Sequence, residues 1–231
     1  MCPLPVGGVR GDGRKGKPMQ FRDRKEAGRE LAEQLRIRQE KGVLPHPVVL
    51  ALPRGGVAVA REIARVLQAP LDVLVVRKIG APFHEEFGVG ALAGDDPPLF
   101  DEGTLYRLGL SEADLAPVVE RERKELRRRE ERYRQGRPAP ELRDRTAIVV
   151  DDGVATGSTA RVALRAVRNR QPERLVLAVP VCAPEAAEEL RREADDFVCL
   201  HQPRLFSAVG EWYEDFGQLT DADVLEALRG D

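Results

Sequence analysis

Two adjacent carboxylates, Asp151 and Asp152, close the apolar run Ala147-Ile148-Val149-Val150 and open the stretch Gly153-Val154-Ala155-Thr156-Gly157-Ser158-Thr159. Small residues after a buried strand let the backbone turn sharply into a helix. The free N–H groups of that helix start then face a common point, which suits a phosphate dianion. Thr156, Ser158 and Thr159 add hydroxyl donors. The two acids would repel phosphate, but they accept hydrogen bonds from vicinal hydroxyls and favour positive charge developing on a sugar ring. An isolated Asp-Asp is ordinarily a solvated cap; the same pair joined to a strand and a hydroxyl-rich loop points to a sugar phosphate. The stretch is neither GxxxxGK[ST] nor GxGxxG.

Two basic clusters lie upstream. Leu52-Pro53-Arg54-Gly55-Gly56-Val57 follows another apolar run, and exposed amides next to the donor fork of Arg54 suit a pyrophosphate. Taken alone it is a turn. Arg77-Lys78 closes the run Leu71 to Val76; taken alone it is surface charge. His84 is a weak general acid/base candidate, with an exposed loop histidine as the plainer reading.

These loops need a frame. Pro47–Leu52, Leu71–Val76, Ala147–Val150, Leu175–Val179 and Phe197–Leu200 read as buried strands. Phe21–Glu40, Val57–Leu67, Ser158–Asn169 and Pro184–Glu193 read as helices. Apolar strands alternating with amphipathic helices predict an α/β fold, a Rossmann-like, mostly parallel sheet with helices on both faces, whose ligands bind beyond the carboxyl ends of the strands. Residues 82–145 interrupt the alternation with a Gly-rich stretch and a highly charged helix from Ser111 to Arg134. Ser111 and Asp114 form a capping pair, and Glu120–Lys124, Glu125–Arg129 and Glu130–Arg134 are favourably oriented ion pairs. That helix reads as a solvated face, with a partner surface as the sharper alternative. Residues 1–18, rich in Gly, Pro and basic side chains, read as a disordered tail, leaving 19–231 to fold, with Met19 a candidate start.

Lys plus Arg is 37 and Asp plus Glu is 39 in 231 residues, a formal charge of −2. That balance argues against a salt-driven nucleic-acid binder. Three cysteines make no disulfide framework and no metal-ligand spacing, so no protein metal site is expected. No apolar stretch approaches the roughly 20 residues of a membrane span, and no secretory signal opens the chain. The default is a reduced, cytoplasmic protein acting on a small molecule, away from membrane and nucleic acid.

Val149 to Thr159 resembles the phosphoribosyl pyrophosphate (PRPP) motif of the type I phosphoribosyltransferases, departing from it at Gly153, where the family usually has an aliphatic residue. The resemblance, which extends in order over residues 47–200, implies that family's fold with a small hood. It assigns Asp151 and Asp152 to the ribose hydroxyls and to catalysis, and Ala155, Thr156, Gly157, Ser158 and Thr159 to the 5-phosphate. Arg54, Gly55 and Gly56, then Arg77 and Lys78, correspond to the pyrophosphate contacts. A non-proline cis peptide is expected near Arg54–Gly55, and a mobile closing loop at 81–94. Mg²⁺ would arrive bound to PRPP. Ala155 replaces the acid of hypoxanthine-guanine enzymes; the Ala-Thr-Gly variant looks more like adenine enzymes but is too local to choose a base. Residues 205–231 supply either a hood in which Trp212 and Tyr213 stack a base or a plain packing cluster. The implied activity is phosphoribosyl transfer to a nitrogenous base with release of pyrophosphate, and a homodimer is compatible with the family. The alternatives are a non-catalytic PRPP- or nucleotide-binding regulator of the same fold, and an interaction module built on the 111–135 helix.

Overall fold

Apolar runs too short for helices become strands, and the amphipathic stretches between them become the helices that cover them. In the computed structural model, which describes residues 20–229, the chain begins with α1 (Arg24–Glu40), β1 (Pro47–Ala51), α2 (Gly55–Leu67) and β2 (Leu71–Val73). An antiparallel unit follows: β3 (Val76–Ala81), β4 (His84–Ala93) and β5 (Leu99–Phe100). Then come α3 (Glu102–Leu108), α4 (Glu112–Arg134), β6 (Thr146–Val150), α5 (Ser158–Asn169), β7 (Arg174–Val181), α6 (Pro184–Leu190) and β8 (Asp196–His201). A 3-10 turn (Val209–Trp212) and α7 (Asp221–Leu228) end the described chain. The reading of residues 1–18 as a tail lies outside the described residues.

Five strands form one parallel sheet in the order β2-β1-β6-β7-β8. Alternate side chains feed two cores, as the two-residue period of a strand requires. Val49, Ala51, Ile148, Val150, Val176 and Ala178 pack with α1, α2, α4 and α7. Val48, Leu50, Ala147, Val149, Leu175 and Leu177 pack with α5 and α6. Helices therefore cover both faces, as the sequence predicts.

The expected strand Leu71–Val76 is two strands. β2 stops at Val73 after pairing with β1, and β3 starts at Val76 in the other sheet. Leu74 and Val75 are buried in opposite cores, so the whole run is apolar although the chain changes sheets within it. The segment 81–94, expected as a mobile closing loop, contains a strand: β4 pairs antiparallel with β3, with register shifts at Gly80. A Cβ on Gly80 would overlap the Glu85 backbone, so a side chain there would force the hairpin apart. This small antiparallel sheet is the hood. It sits on α5 through Ala91, Ala93, Val162 and Ala166.

α4 begins with the predicted capping box between Ser111 and Asp114, and the three predicted i,i+4 ion pairs are present. It is solvated on one side only. Leu115, Val118, Glu122, Leu126 and Tyr133, three to seven residues apart, are buried and bind the helix to the core and hood.

Candidate functional site

β1 and β6 are neighbours, yet the chain leaves β1 toward β2 and leaves β6 toward β7. Connections that diverge from adjacent parallel strands open a crevice at their carboxyl ends. The Arg54 loop follows β1 and the Asp151 loop follows β6, so both sequence-derived loops meet there.

Their approach is close. The Leu52 N–H donates to Val150 O at 2.8 Å. A Cβ on Gly56 would stand 2.5 Å from Val150 O, and one on Gly55 would overlap the Asp152 carboxylate. Glycine is required at both positions for this reason. The loop contains a non-proline cis peptide between Pro53 and Arg54, one bond before the expected Arg54–Gly55. Arg54 is exposed at the start of α2.

Asp151 Oδ1 accepts from the Asp152 N–H at 2.9 Å. Asp152 Oδ2 accepts from Arg24 Nε at 2.7 Å, with both side chains largely enclosed. Tyr213 Oη donates to Asp152 O at 2.5 Å. Burial, then the charge of Asp152, holds the Asp151 carboxyl well above the usual carboxylate range. Burial also raises Asp152, and its bond and attraction to Arg24 oppose that rise. The pair therefore favours one negative charge, seated on Asp152, over two.

Downstream, Gly157 takes φ 76° and caps α5. This left-handed turn is nearly free for glycine and strained for other residues. It leaves the loop amides at the helix start unspent within the helix, and Thr156 Oγ1 and Ser158 Oγ lie 3.2 Å apart beside them. Residues 153–160, Asp151, Lys78 and Val209 line a cavity of about 200 Å³. The departure at Gly153 has a local cause: a Cβ there would lie 2.5 Å from Val209 Cγ1 and 2.9 Å from Val181 Cγ1. Val209 fills the space an aliphatic residue at 153 would take.

The structure separates the second cationic pair. Arg77 and Lys78 point to opposite faces of β3, as neighbours on a strand must. Lys78 is exposed and lines the cavity. Arg77, expected with Lys78 to contact pyrophosphate, bonds Glu122 of α4 through Nη2 at 2.5 Å and Nε at 2.9 Å. Tyr213, considered above for stacking a base, has its ring buried against Phe21 and Phe216 and its hydroxyl donating to Asp152 O. Trp212 stacks on His201 with centroids 6.4 Å apart. Residues 205–229 thus form a packing segment, and the antiparallel sheet takes the place of the hood considered there. His84 is exposed where β4 begins.

Arg24 is the residue that sequence reading missed. A signal was present: Arg24 lies three residues before Ala27 on the apolar stripe Ala27-Leu31-Leu35, so a charge occupies the buried face of α1.

Among the described residues, no group of three or more His, Cys, Asp or Glu is placed to hold a metal, and no helix is long and apolar enough to cross a membrane. Comparison with known proteins agrees with the geometry. The solved structure of TT1426 from Thermus thermophilus is 45% identical and superposes with a TM-score of 0.78 over 91% of this chain and 98% of that one. A Mycobacterium tuberculosis protein named "Putative phosphoribosyl transferase Rv0571c" is 44% identical over 208 residues, 90% of this chain and 46% of that protein. The chain spans about half the length of the curated relatives it matches. The family described as "Phosphoribosyl transferase domain" matches residues 20–215, and the chain belongs to that family.

Proposed function

We propose that this site binds Mg-PRPP and transfers its 5-phosphoribosyl group to a nitrogenous base, releasing pyrophosphate. The observation that carries the reading is the meeting, at one crevice, of the Asp151–Asp152 pair, the Gly157 helix start and the Gly55-Gly56 loop.

In this reading the amides and hydroxyls of Ala155 to Thr159 hold the 5-phosphate. Asp151 and Asp152 take the ribose hydroxyls, one as donor or acceptor and the other as a charged acceptor. The amides of Gly55 and Gly56, with Arg54 and Lys78, face the pyrophosphate. A base nitrogen attacks the anomeric carbon, the bond to pyrophosphate breaks with its electron pair leaving on oxygen, and the displaced N–H proton goes to solvent. Positive charge gathers on the ribose as that bond lengthens, and the negative charge on Asp152 stabilises it. The pyrophosphate and ribose oxygens of PRPP themselves suit a hard cation. Mg²⁺ bound with PRPP would neutralise the departing pyrophosphate.

A second reading, a PRPP or nucleotide sensor of the same fold, draws on Tyr213 and Trp212 being engaged inside the protein instead of facing a base. One assay separates the two. Purified protein is given Mg-PRPP and a panel of purines and pyrimidines, and pyrophosphate release and PRPP affinity are measured. Base-dependent release supports transfer; PRPP binding without release supports the sensor; no binding refutes both. The D151N/D152N pair should lower PRPP affinity about thirtyfold, the worth of one charge-assisted and one neutral contact, with cooperative unfolding retained. Unchanged affinity would refute the ribose assignment.

A further inference from the structure

We propose that Arg24 is the positioning residue of the acid pair: it fixes the Asp152 carboxylate in place through one oxygen and makes Asp152 the member of the pair that carries the charge. The inference rests on the PRPP reading of the site for its consequence, though not for its geometry.

Arg24 is held from several sides. Its Nε donates to Asp152 Oδ2 at 2.7 Å and its Nη1 to Gly217 O at 2.9 Å. The guanidinium lies 3.9 Å from the Phe216 ring centroid and 5.9 Å from that of Tyr213. Arg24 and Asp152 side chains are 10% and 13% exposed. A surface ion pair wanders and is screened; this one is enclosed by two aromatic rings and does neither. The Tyr213 hydroxyl holds the Asp152 carbonyl from the same side. The ribose acceptor is therefore braced by both ends of the described chain, where Phe21 pairs with Tyr213.

The charges around Asp152 make the arrangement directional. Asp151 is its covalent neighbour on the same loop, Tyr213 packs from the C-terminal segment, and Arg24 comes from α1. Arg24 is the cation bonded to the pair, and it bonds only one member. A carboxylate has about four acceptor positions; Arg24 uses one and leaves capacity for a hydroxyl. Without Arg24, no bonded cation would favour the charge on Asp152, and its carboxylate would be free to rotate.

The test measures Mg-PRPP affinity of the full chain by calorimetry. R24Q should weaken it about tenfold, the value of one charge-assisted bond, and R24K should recover part of the loss by restoring the charge without the fork. In R24A, dilute guanidinium should restore affinity while the same concentration of tetramethylammonium does not. R24Q that unfolds normally and binds as the wild type does would overturn the proposal. So would an R24A defect that guanidinium leaves untouched, since that defect is structural only. Should wild-type protein fail to bind PRPP, the functional reading falls alone, because the Arg24 role has a ligand-free readout. In protein carrying ¹³C-labelled Asp, the Asp152 carboxyl signal, assigned with D152N, should titrate at higher pH in R24K and R24Q than in the wild type. Coincident titration curves would overturn it.

Discussion

The parallel sheet and the antiparallel hood meet over the same crevice, yet different forces hold them. The central parallel strands β1, β6 and β7 are apolar on both faces and buried along nearly their whole length. The hood is Gly-rich; one face buries Ile79, Ala81, Val89 and Leu92 in the core, and polar bonds tie other parts of it to α4. Arg77 bonds Glu122, Arg123 donates to Gly94 O and Asp96 O, and Arg127 bonds Asp95. At the hood's free end Phe83 and Phe87 are 66% and 48% exposed. A close-packed platform holds side chains to fractions of an ångström. A unit with fewer buried apolar contacts opens at lower cost. The division of labour follows: the acids and phosphate cradle stand on the rigid element, and Lys78 is delivered by the looser one.

The contrast can be broken first at its strongest point. Ile148→Ala, in the middle of β6, removes a fully buried side chain and should cost about 2–5 kcal/mol. Chemical denaturation should show this as a lower midpoint with the slope unchanged. In the hood, Arg77→Ala leaves the buried Glu122 of α4 with only the exposed Arg121 as its partner and should cost about 1–3 kcal/mol. Lys78→Ala, its neighbour in sequence, should change stability by less than about 0.5 kcal/mol and weaken PRPP binding severalfold. Equal stability losses at 77 and 78 would show that β3 does not sort its two cations as described.

Another effect has the opposite sign. Burial and the Asp152 charge raise Asp151 in the folded state, so its proton is held more tightly folded than unfolded. The associated stability is full below the ordinary carboxylate value of 3.8 and is lost as pH rises through the raised value. Asp151→Asn should therefore raise the melting temperature at neutral pH, with the gain vanishing below about pH 3. A gain that is constant with pH would mean that Asp151 ionises normally.

Elements whose local pattern and tertiary role agree were legible in the sequence. α5 is found at the predicted residues, α4 starts at its predicted cap, and the two site loops lie where strand-then-glycine patterns put them. What the pattern hid has physical causes. Leu71–Val76 is apolar throughout because each part faces a core, so nothing in it marks the change of sheet. β4 reads as a loop because glycine and charge dominate it, while its strand character comes from pairing with β3. Arg77 and Lys78 are alike in sequence and part only through the strand's alternation. Arg24 lies more than a hundred residues from the acid it binds, and no local spacing links them.

Gly153 and Val209 share one volume, and that sharing constrains how this protein can change. Restoring the aliphatic residue usual at 153 in the resembling enzymes would collide with Val209, whereas shrinking 209 alone would leave a void beneath the phosphate loop. Bulk at 153 has to be matched by movement or lost bulk at both 209 and 181, and the tolerated order is to make that space first. Glycine at 153 is thus what lets the C-terminal segment wedge under that loop through Val209.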